Sequence, residues 1–281
     1  MTPVYLLAIK NSKREFTIKK KLKLLKIDFK TFYAIDGKNP KNFNILDKYY
    51  DSKKSLHHLG REMTYFEKSC AEGHQRIYKY ILQKKIKNAV IIEDDCNPSK
   101  LLVKWLKLKK YFDLNEYNII QIFLYAGMVY KNPYKKILNF YIHKACFVIP
   151  TTTCYQISYK ACHYILANNK KIFRLVDWPI NFHEGKIKQF AVLPGIISLV
   201  PNHQKTSHQT NLWKRHNLMK LLKKIIPFYG VLTALYFLSH IPFIFSSGKN
   251  YSYYKEKFLM KKIIYLKSLF SANNYIDITK K

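Results

Sequence analysis

Residues 89–95 read Ala89-Val90-Ile91-Ile92-Glu93-Asp94-Asp95, an apolar run followed directly by three acids. The apolar, β-branched run predicts a strand that is buried on both faces. In α/β proteins the ligand site lies at the carboxyl ends of the strands. This stretch therefore predicts both a central strand and a functional site at its end.

The three acids are unusual because the chain has only 17 Asp+Glu against 50 Lys+Arg. Adjacent carboxylates repel one another unless a cation or hydrogen-bond donors offset their charge. Oxygen ligands at this density suit Mg²⁺ or Mn²⁺. The alternative is a solvated turn whose acids cap the next helix. We favour the metal site because the acids follow an apolar strand.

Outward from this stretch, short apolar runs alternate with amphipathic helical patterns. The alternation favours an α/β fold with a mostly parallel sheet. Residues 38–60 lack a clear pattern and are expected to form a loop. Strands are predicted at 4–9, 29–35, 89–92, 119–124, 152–157, 189–193 and 196–200, and helices at 13–25, 64–88, 98–112 and 158–167.

The most periodic helix begins at a predicted capping box, Thr64-x-x-Glu67, and carries Cys70 and His74 on the face of Glu67. Position N3 of a capping box explains Glu67 without any chemistry. His74 is equally well explained as a core histidine whose nitrogens are hydrogen-bonded. The spacing alone does not show whether either residue is structural or functional.

Two further groups are candidates on composition. Asp177 stands between an apolar pair and Trp178, where it is either a helix cap or a functional acid. His203 and His208 lie in a polar segment rich in hydrogen-bond donors, and no patterned third ligand accompanies them. That segment is better interpreted as a phosphate-binding or sugar-binding loop than as a metal site.

Composition excludes several classes of protein. The chain of 281 residues is 48% hydrophobic and 16% aromatic, unlike a disordered polycation. It has no glycine-rich dinucleotide fingerprint and no P-loop motif. Its five cysteines are scattered and odd in number, which predicts neither a disulfide framework nor a zinc ribbon. With no signal peptide at the N-terminus, a cytoplasmic location is expected.

The formal net charge is +33. Such a charge attracts nucleic acids, anionic membranes and phosphorylated substrates alike. The accompanying excess of Ile, Asn, Tyr and Phe is typical of an AT-rich genome, which also explains much of the lysine. The charge alone therefore selects no partner.

The composition shifts after His203. Residues 225–245 are almost wholly apolar and are flanked by lysines, among them Lys220, Lys223 and Lys224. Their length would suffice to span a bilayer, but Pro227, Gly230 and Pro242 interrupt them. A membrane span, an interfacial segment and packing onto the main domain all remain open, and we favour the interfacial segment. We expect a catalytic domain at 1–216 and a basic, apolar helical tail at 217–281.

Five motifs follow one another along the chain. They are Phe32-Tyr33-Ala34-Ile35-Asp36-Gly37, Glu67-Lys68-Ser69-Cys70-Ala71-Glu72-Gly73-His74, Ile91-Ile92-Glu93-Asp94-Asp95, Thr153-Cys154-Tyr155-Gln156-Ile157-Ser158-Tyr159-Lys160-Ala161, and Val176-Asp177. In this order they resemble glycosyltransferase family 25, the lipooligosaccharide galactosyltransferases of Gram-negative bacteria. Gly73 and Ser69 depart from the family's usual residues.

The resemblance implies a GT-A-like fold, a UDP-sugar donor (usually UDP-galactose), a divalent cation (Mn²⁺ or Mg²⁺) and inversion at the transferred sugar. On this basis Asp95 and Glu93 are expected to hold the cation, and Asp94, Glu93 and His203 to bind the donor. We expect Asp177 to be the base, with Glu67 as the alternative. His74 would orient a carboxylate or bind phosphate.

The expected acceptor is a lipooligosaccharide or lipopolysaccharide, reached from the cytoplasmic face of the bacterial inner membrane. A competing hypothesis is a basic, metal-dependent protein that processes or binds nucleic acid, although no nucleic-acid-binding motif is visible. A third hypothesis is a family member that binds sugars without catalysis. The sequence indicates no oligomeric state.

Overall fold

The computed structural model describes residues 1–108, 118–124, 128–145, 149, 151–177, 179, 186–200 and the strand at 275–277. The chain divides into two compact units. One comprises 1–51, 63–201 and 273–281, and the other comprises 52–62 and 202–272. The expected boundary at 216/217 lies outside the described residues and stays a prediction.

The first unit is built on an eight-stranded sheet, and two further pairs of short strands lie outside that sheet. The strands are β1 (Val4–Ala8), β2 (Phe29–Tyr33), β3 (Asn88–Glu93), β4 (Cys96–Asn97), β5 (Asn118–Gln121), β6 (Met128–Tyr130), β7 (Lys135–Ile137), β8 (Phe140–Lys144), β9 (Cys154–Ser158), β10 (Lys188–Leu193), β11 (Ser198–Leu199) and β12 (Tyr275–Asp277). The order in the large sheet is β2-β1-β3-β9-β5-β10-β8-β7. Strand β4 pairs with β11, and β6 pairs with β12.

The sheet is mixed. β1 is parallel to β2 and β3, and β5 is parallel to β10. β9 runs antiparallel between β3 and β5, and β8 runs antiparallel to β10 and β7. Six of the eight strands in this sheet therefore run in the same direction. The prediction of an α/β fold with a mostly parallel sheet is confirmed.

Helices cover both faces of the sheet. Because successive side chains of a strand point to opposite faces, Leu6 of β1 joins an apolar cluster with Leu22 and Trp105, and Leu7 joins another with Ile77. The helices are α1 (Lys13–Leu24), α2 (Phe43–Lys48), α3 (Ser52–Leu59), α4 (Tyr65–Gln83), α5 (Lys100–Leu106) and α6 (Tyr159–Asn168), with a 3-10 turn at Pro40–Asn42.

The start of α4 is fixed by two local features. Thr64 and Glu67 form the reciprocal capping box that the sequence predicts, and each side chain accepts a hydrogen bond from the other's backbone N–H. Gly37 lies directly against this end, where a Cβ atom would come within 2.5 Å of the Tyr65 carbonyl oxygen. The Asp36-Gly37 turn can therefore approach α4 only because residue 37 has no side chain.

One expectation from the sequence is wrong. Residues 38–60 are not a loop, because they contain the 3-10 turn, α2 and α3. In addition, the sequence did not predict the strands β4, β6, β7, β8 and β12.

The described part of the predicted helix at 98–112 ends earlier, at Leu106. None of the described helices is both long and apolar enough to cross a membrane. Residues 225–245 lie outside the described part of the chain.

Candidate active site

The acidic run lies at the carboxyl end of β3, as the sequence predicts. Glu93 is the last residue of β3, and its backbone N–H donates to the Thr153 carbonyl oxygen at 2.8 Å. Two residues later, the carbonyl oxygen of Asp95 accepts a hydrogen bond from the N–H of Val200 at 3.0 Å. The backbone therefore holds the acids between β9 and the end of β11.

Asp94 is paired with Arg14, which stands in the first turn of α1. The Asp94 side chain is only 4% exposed. Burial raises the pKa of Asp94 above its ordinary value, although the Arg14 charge and hydrogen bond act to lower it. The two residues lie 80 positions apart in the sequence, so the pairing depends on β1 and β3 being neighbours in the sheet.

Asp95 has the least compensated carboxylate of the three. Burial and the nearby charge of Glu93 raise its pKa to about 7. Its Oδ1 atom is buried and has no hydrogen-bond partner among the described residues. A buried carboxylate oxygen in this state is strongly destabilised as an anion unless a cation compensates it.

Glu93 is surrounded by donors instead. Its Oε1 atom accepts hydrogen bonds from the Thr152 hydroxyl at 2.6 Å and the Cys70 thiol at 3.8 Å, and it lies 3.0 Å from His74 Nε2. Burial acts to raise the pKa of Glu93, but the hydrogen bond and charge of His74 and the Thr152 hydroxyl outweigh it and lower that pKa. Glu93 is consequently an anion at neutral pH.

Asp177 lies in the same cluster. Burial and the charge of Glu93 raise its pKa to about 6, while His74 and hydrogen bonds from the Thr151 backbone and the Thr152 hydroxyl oppose that rise. A carboxylate with such a pKa is mostly ionised at neutral pH and can still accept a proton readily. This is the behaviour expected of a general base.

Glu67 is placed at the start of α4, where Oε2 accepts hydrogen bonds from the Thr64 N–H at 2.8 Å and the Thr64 hydroxyl at 3.1 Å. The structure thus assigns it a capping role. His203 lies outside the described residues. The structure brings together the other predicted site residues, which are Glu93, Asp94, Asp95, His74 and Asp177.

Two sets of residues are candidates for a cation site. Cys70, His74 and Glu93 each offer one ligand atom within 4.8 Å of the others. However, hydrogen bonds to Glu93 already account for this trio, and burial raises the pKa of the Cys70 thiol well above its ordinary value. The unpartnered oxygen of Asp95 beside the Glu93 anion fits a hard divalent cation better.

Arg14, Thr152 and Tyr155 are site residues that the sequence reasoning missed. Tyr155 lies in the matched motif at 153–161, and its hydroxyl is 2.7 Å from His74 Nδ1. That motif was the available signal for Tyr155. Arg14 and Thr152 gave no such signal. Each is an ordinary residue of a helix start or a loop, and only the folding of the sheet places it beside the end of β3.

The fold and the cluster of acids are those of an α/β enzyme with its site at the strand ends. A model of glycosyltransferase family 25 (LPS biosynthesis protein) matches residues 1–180. Because this match covers well over half of the chain, the protein belongs to glycosyltransferase family 25, and the resemblance stated from the motifs is confirmed. No curated protein matches the chain. Membership supports a glycosyltransferase of lipopolysaccharide biosynthesis, with a nucleotide-sugar donor and a glycoconjugate acceptor.

Proposed function

We propose that this glycosyltransferase has a GT-A-like domain and transfers a hexose, galactose from UDP-galactose, with inversion onto a lipooligosaccharide or lipopolysaccharide acceptor. The observation that carries the proposal is the partly buried carboxylate of Asp177. It lies beside Glu93, and burial together with the Glu93 charge raises the pKa of Asp177 to about 6. Inverting transfer requires such a base, because the acceptor hydroxyl must lose a proton as it attacks.

In the proposed reaction the acceptor oxygen attacks the anomeric carbon on the face opposite the UDP. Asp177 accepts the hydroxyl proton, the new glycosidic bond forms, and the bond from the anomeric carbon to the diphosphate oxygen breaks with its electron pair. UDP then leaves with one more negative charge on its diphosphate. One carboxylate suffices for the proton, which agrees with the capping role of Glu67.

Asp95 and Glu93 are the residues that would hold Mn²⁺ or Mg²⁺. When bound, the cation would stabilise the charge that develops on the diphosphate. Arg14 neutralises Asp94, so the acids can stand together at the end of β3 while Asp94 is held in one orientation. We assign Asp94 to the sugar of the donor, as the resemblance implies.

Turnover tests this proposal directly. Purified protein is incubated with Mn²⁺, an acceptor glycolipid and each common UDP-sugar, and the anomeric configuration of the product is read by NMR. We expect UDP-galactose to be the preferred donor, the product to be inverted, and Asp95→Ala to be inactive. Asp28→Ala, which changes an exposed acid on the α1–β2 turn, is the matched control.

Each result has a distinct meaning. A wild type that is inert toward every UDP-sugar would contradict transfer and favour a sugar-binding protein. Full activity in Asp95→Ala would contradict the assigned cation site. A retained configuration would remove the requirement for Asp177 as base.

We also propose that the protein works as a peripheral protein on the cytoplasmic face of the inner membrane. The support is the sequence at 217–281, in which an apolar stretch is flanked by lysines. Anionic lipids attract such segments by about 1 kcal/mol per basic residue near the surface. The lipid-linked acceptor would be presented at that surface.

A further inference from the structure

A continuous line of buried hydrogen-bonding groups leads away from Glu93. His74 Nε2 lies 3.0 Å from Glu93 Oε1, and His74 Nδ1 lies 2.7 Å from the Tyr155 hydroxyl. That hydroxyl in turn lies 2.6 Å from the Tyr78 hydroxyl. The line thus crosses from β3 through α4 to β9 and back to α4.

The donor to Glu93 can be assigned from the contacts. Glu93 Oε1 already accepts from the Thr152 hydroxyl and the Cys70 thiol, so we assign His74 Nε2 as a third donor to the same oxygen. The other ring nitrogen, Nδ1, then pairs with the Tyr155 hydroxyl, and that hydroxyl pairs with the Tyr78 hydroxyl. The two tyrosines therefore hold the side of the His74 ring that faces away from Glu93.

The three side chains that follow Glu93 on this line are buried. His74 is 0% exposed, and Tyr78 and Tyr155 are each 2% exposed. Their surroundings are the apolar cluster between the sheet and the helices α4 and α6. A hydroxyl or ring nitrogen at such a place needs a hydrogen-bond partner within the protein, because an unpaired one destabilises the fold. The groups on this line therefore depend on one another for their hydrogen bonds.

We infer that Tyr155 and Tyr78 are positioning residues, which hold the His74 ring in the orientation in which Nε2 donates to Glu93. We assign them no direct contact with substrate or cation. They act through His74, which fixes one oxygen of the Glu93 carboxylate together with Thr152 and Cys70. The catalytic consequence of this inference rests on the proposed function, in which Glu93 serves the donor site.

The first test reads the histidine itself and needs no activity. Two-bond ¹H–¹⁵N spectra of protein labelled at histidine distinguish the two neutral tautomers from the charged ring, and His74→Gln assigns the signal. We expect wild-type His74 to carry a proton at Nε2. A ring protonated at Nδ1 alone would overturn the inference.

Variants that remove a single oxygen atom test the roles of the tyrosines. Tyr155→Phe should alter the Nδ1 signal of His74 and lower kcat about 10-fold, the lower end of the effect of outer-shell partners, with little change in KM for the donor. Tyr78→Phe, one step farther away, should change both in the same direction but less. Tyr5→Phe, in the same buried cluster, is the control and should change neither.

These measurements separate the inference from the proposed function. An unaltered His74 spectrum in Tyr155→Phe would overturn the inference whatever the enzyme does. The expected spectra with a wild type that transfers no sugar would contradict the proposed function and leave the assigned hydrogen bond from His74 Nε2 to Glu93 standing. Altered spectra with unchanged kcat in both variants would overturn the positioning role. Thermal melts of each variant check that it is folded.

Discussion

The single carboxylate of Asp177 carries the most specific expectation at the scale of the residue. Asp177→Asn keeps the shape of the side chain but cannot accept a proton. A positioned general base contributes about 10²- to 10⁴-fold to a rate, so we expect kcat to fall by at least about 100-fold. The same turnover assay measures it, and Asp28→Asn is the matched control.

The pH profile gives an independent check of the same residue. The base must be deprotonated to act, and the pKa of Asp177 is raised to about 6. At saturating Mn²⁺ the rate should therefore decrease as the pH falls below about 6, approaching a tenfold loss per unit, and should be level above it. Persistence of this acidic limb in the residual activity of Asp177→Asn would mean that another group titrates there.

Asp95 leads to a prediction about the cation. Protons and metal ions compete for a carboxylate, and the pKa of Asp95 is raised to about 7. The affinity for Mn²⁺ should thus weaken as the pH falls through about 7. Calorimetric titration of Mn²⁺ at pH 8 and pH 6 measures this, with Asp95→Asn as the variant that should lose both the affinity and its pH dependence. Equal affinity at the two pH values would contradict the assignment.

At the scale of the element, the turn that precedes α2 depends on Gly37. An added Cβ would meet the Tyr65 carbonyl oxygen at 2.5 Å, and a backbone atom at the capped start of α4 cannot easily move. We expect Gly37→Ala to lower the free energy of unfolding by about 2 kcal/mol, within the usual range for overpacking. Urea denaturation measures this.

Gly195→Ala is the matched control for that change. A Cβ atom at residue 195 would have no neighbour within 4 Å, so this substitution should alter the stability by less than about 0.5 kcal/mol. Equal effects of the two substitutions would contradict the requirement for glycine that we derive from the close approach of residue 37 to α4.

The elements with a strong period were predictable from sequence and the others were not. β3 and α4 were found because their apolar residues repeat at the spacing of a buried strand and of a helix face. α3 was missed because its lysines and histidines leave too few apolar residues to show a period. β7 was missed because two of its three residues are exposed lysines.

The site was predictable only in part, for a related reason. A run such as Glu93-Asp94-Asp95 is visible in one dimension, but the Arg14–Asp94 pair and the Tyr155–His74 contact join distant parts of the chain. Such contacts depend on the strand order, which places β9 next to β3 and β1 on its other side. Nothing in the local sequence of Tyr155 specifies that neighbour.

At the scale of the whole molecule, we expect the effect of the net charge of +33 on membrane binding to depend on where the lysines lie. We expect the triple change Lys220→Glu, Lys223→Glu and Lys224→Glu to reduce sedimentation with vesicles of anionic lipid several-fold. Each charge reversal removes about 1 kcal/mol or more of attraction. Co-sedimentation at low and high salt measures the loss.

The control for that experiment has the same change in net charge elsewhere. Lys84→Glu, Lys85→Glu and Lys87→Glu alter three exposed lysines between α4 and β3. If both triple variants lose binding equally, the total charge is what matters, and the segment at 217–281 has no special part in membrane association.

The pairing of β12 with β6 changes how the C-terminal part of the chain should be handled. Tyr275–Asp277 runs antiparallel to Met128–Tyr130, and both strands belong to the first unit. Segment 202–272 is therefore tethered at both ends and is subject to loop-closure entropy, as a free tail would not be. A truncation after residue 216 removes a strand as well as the segment, and an affinity tag fused after Lys281 lies only a few residues from that strand. Internal deletions and N-terminal tags avoid both effects.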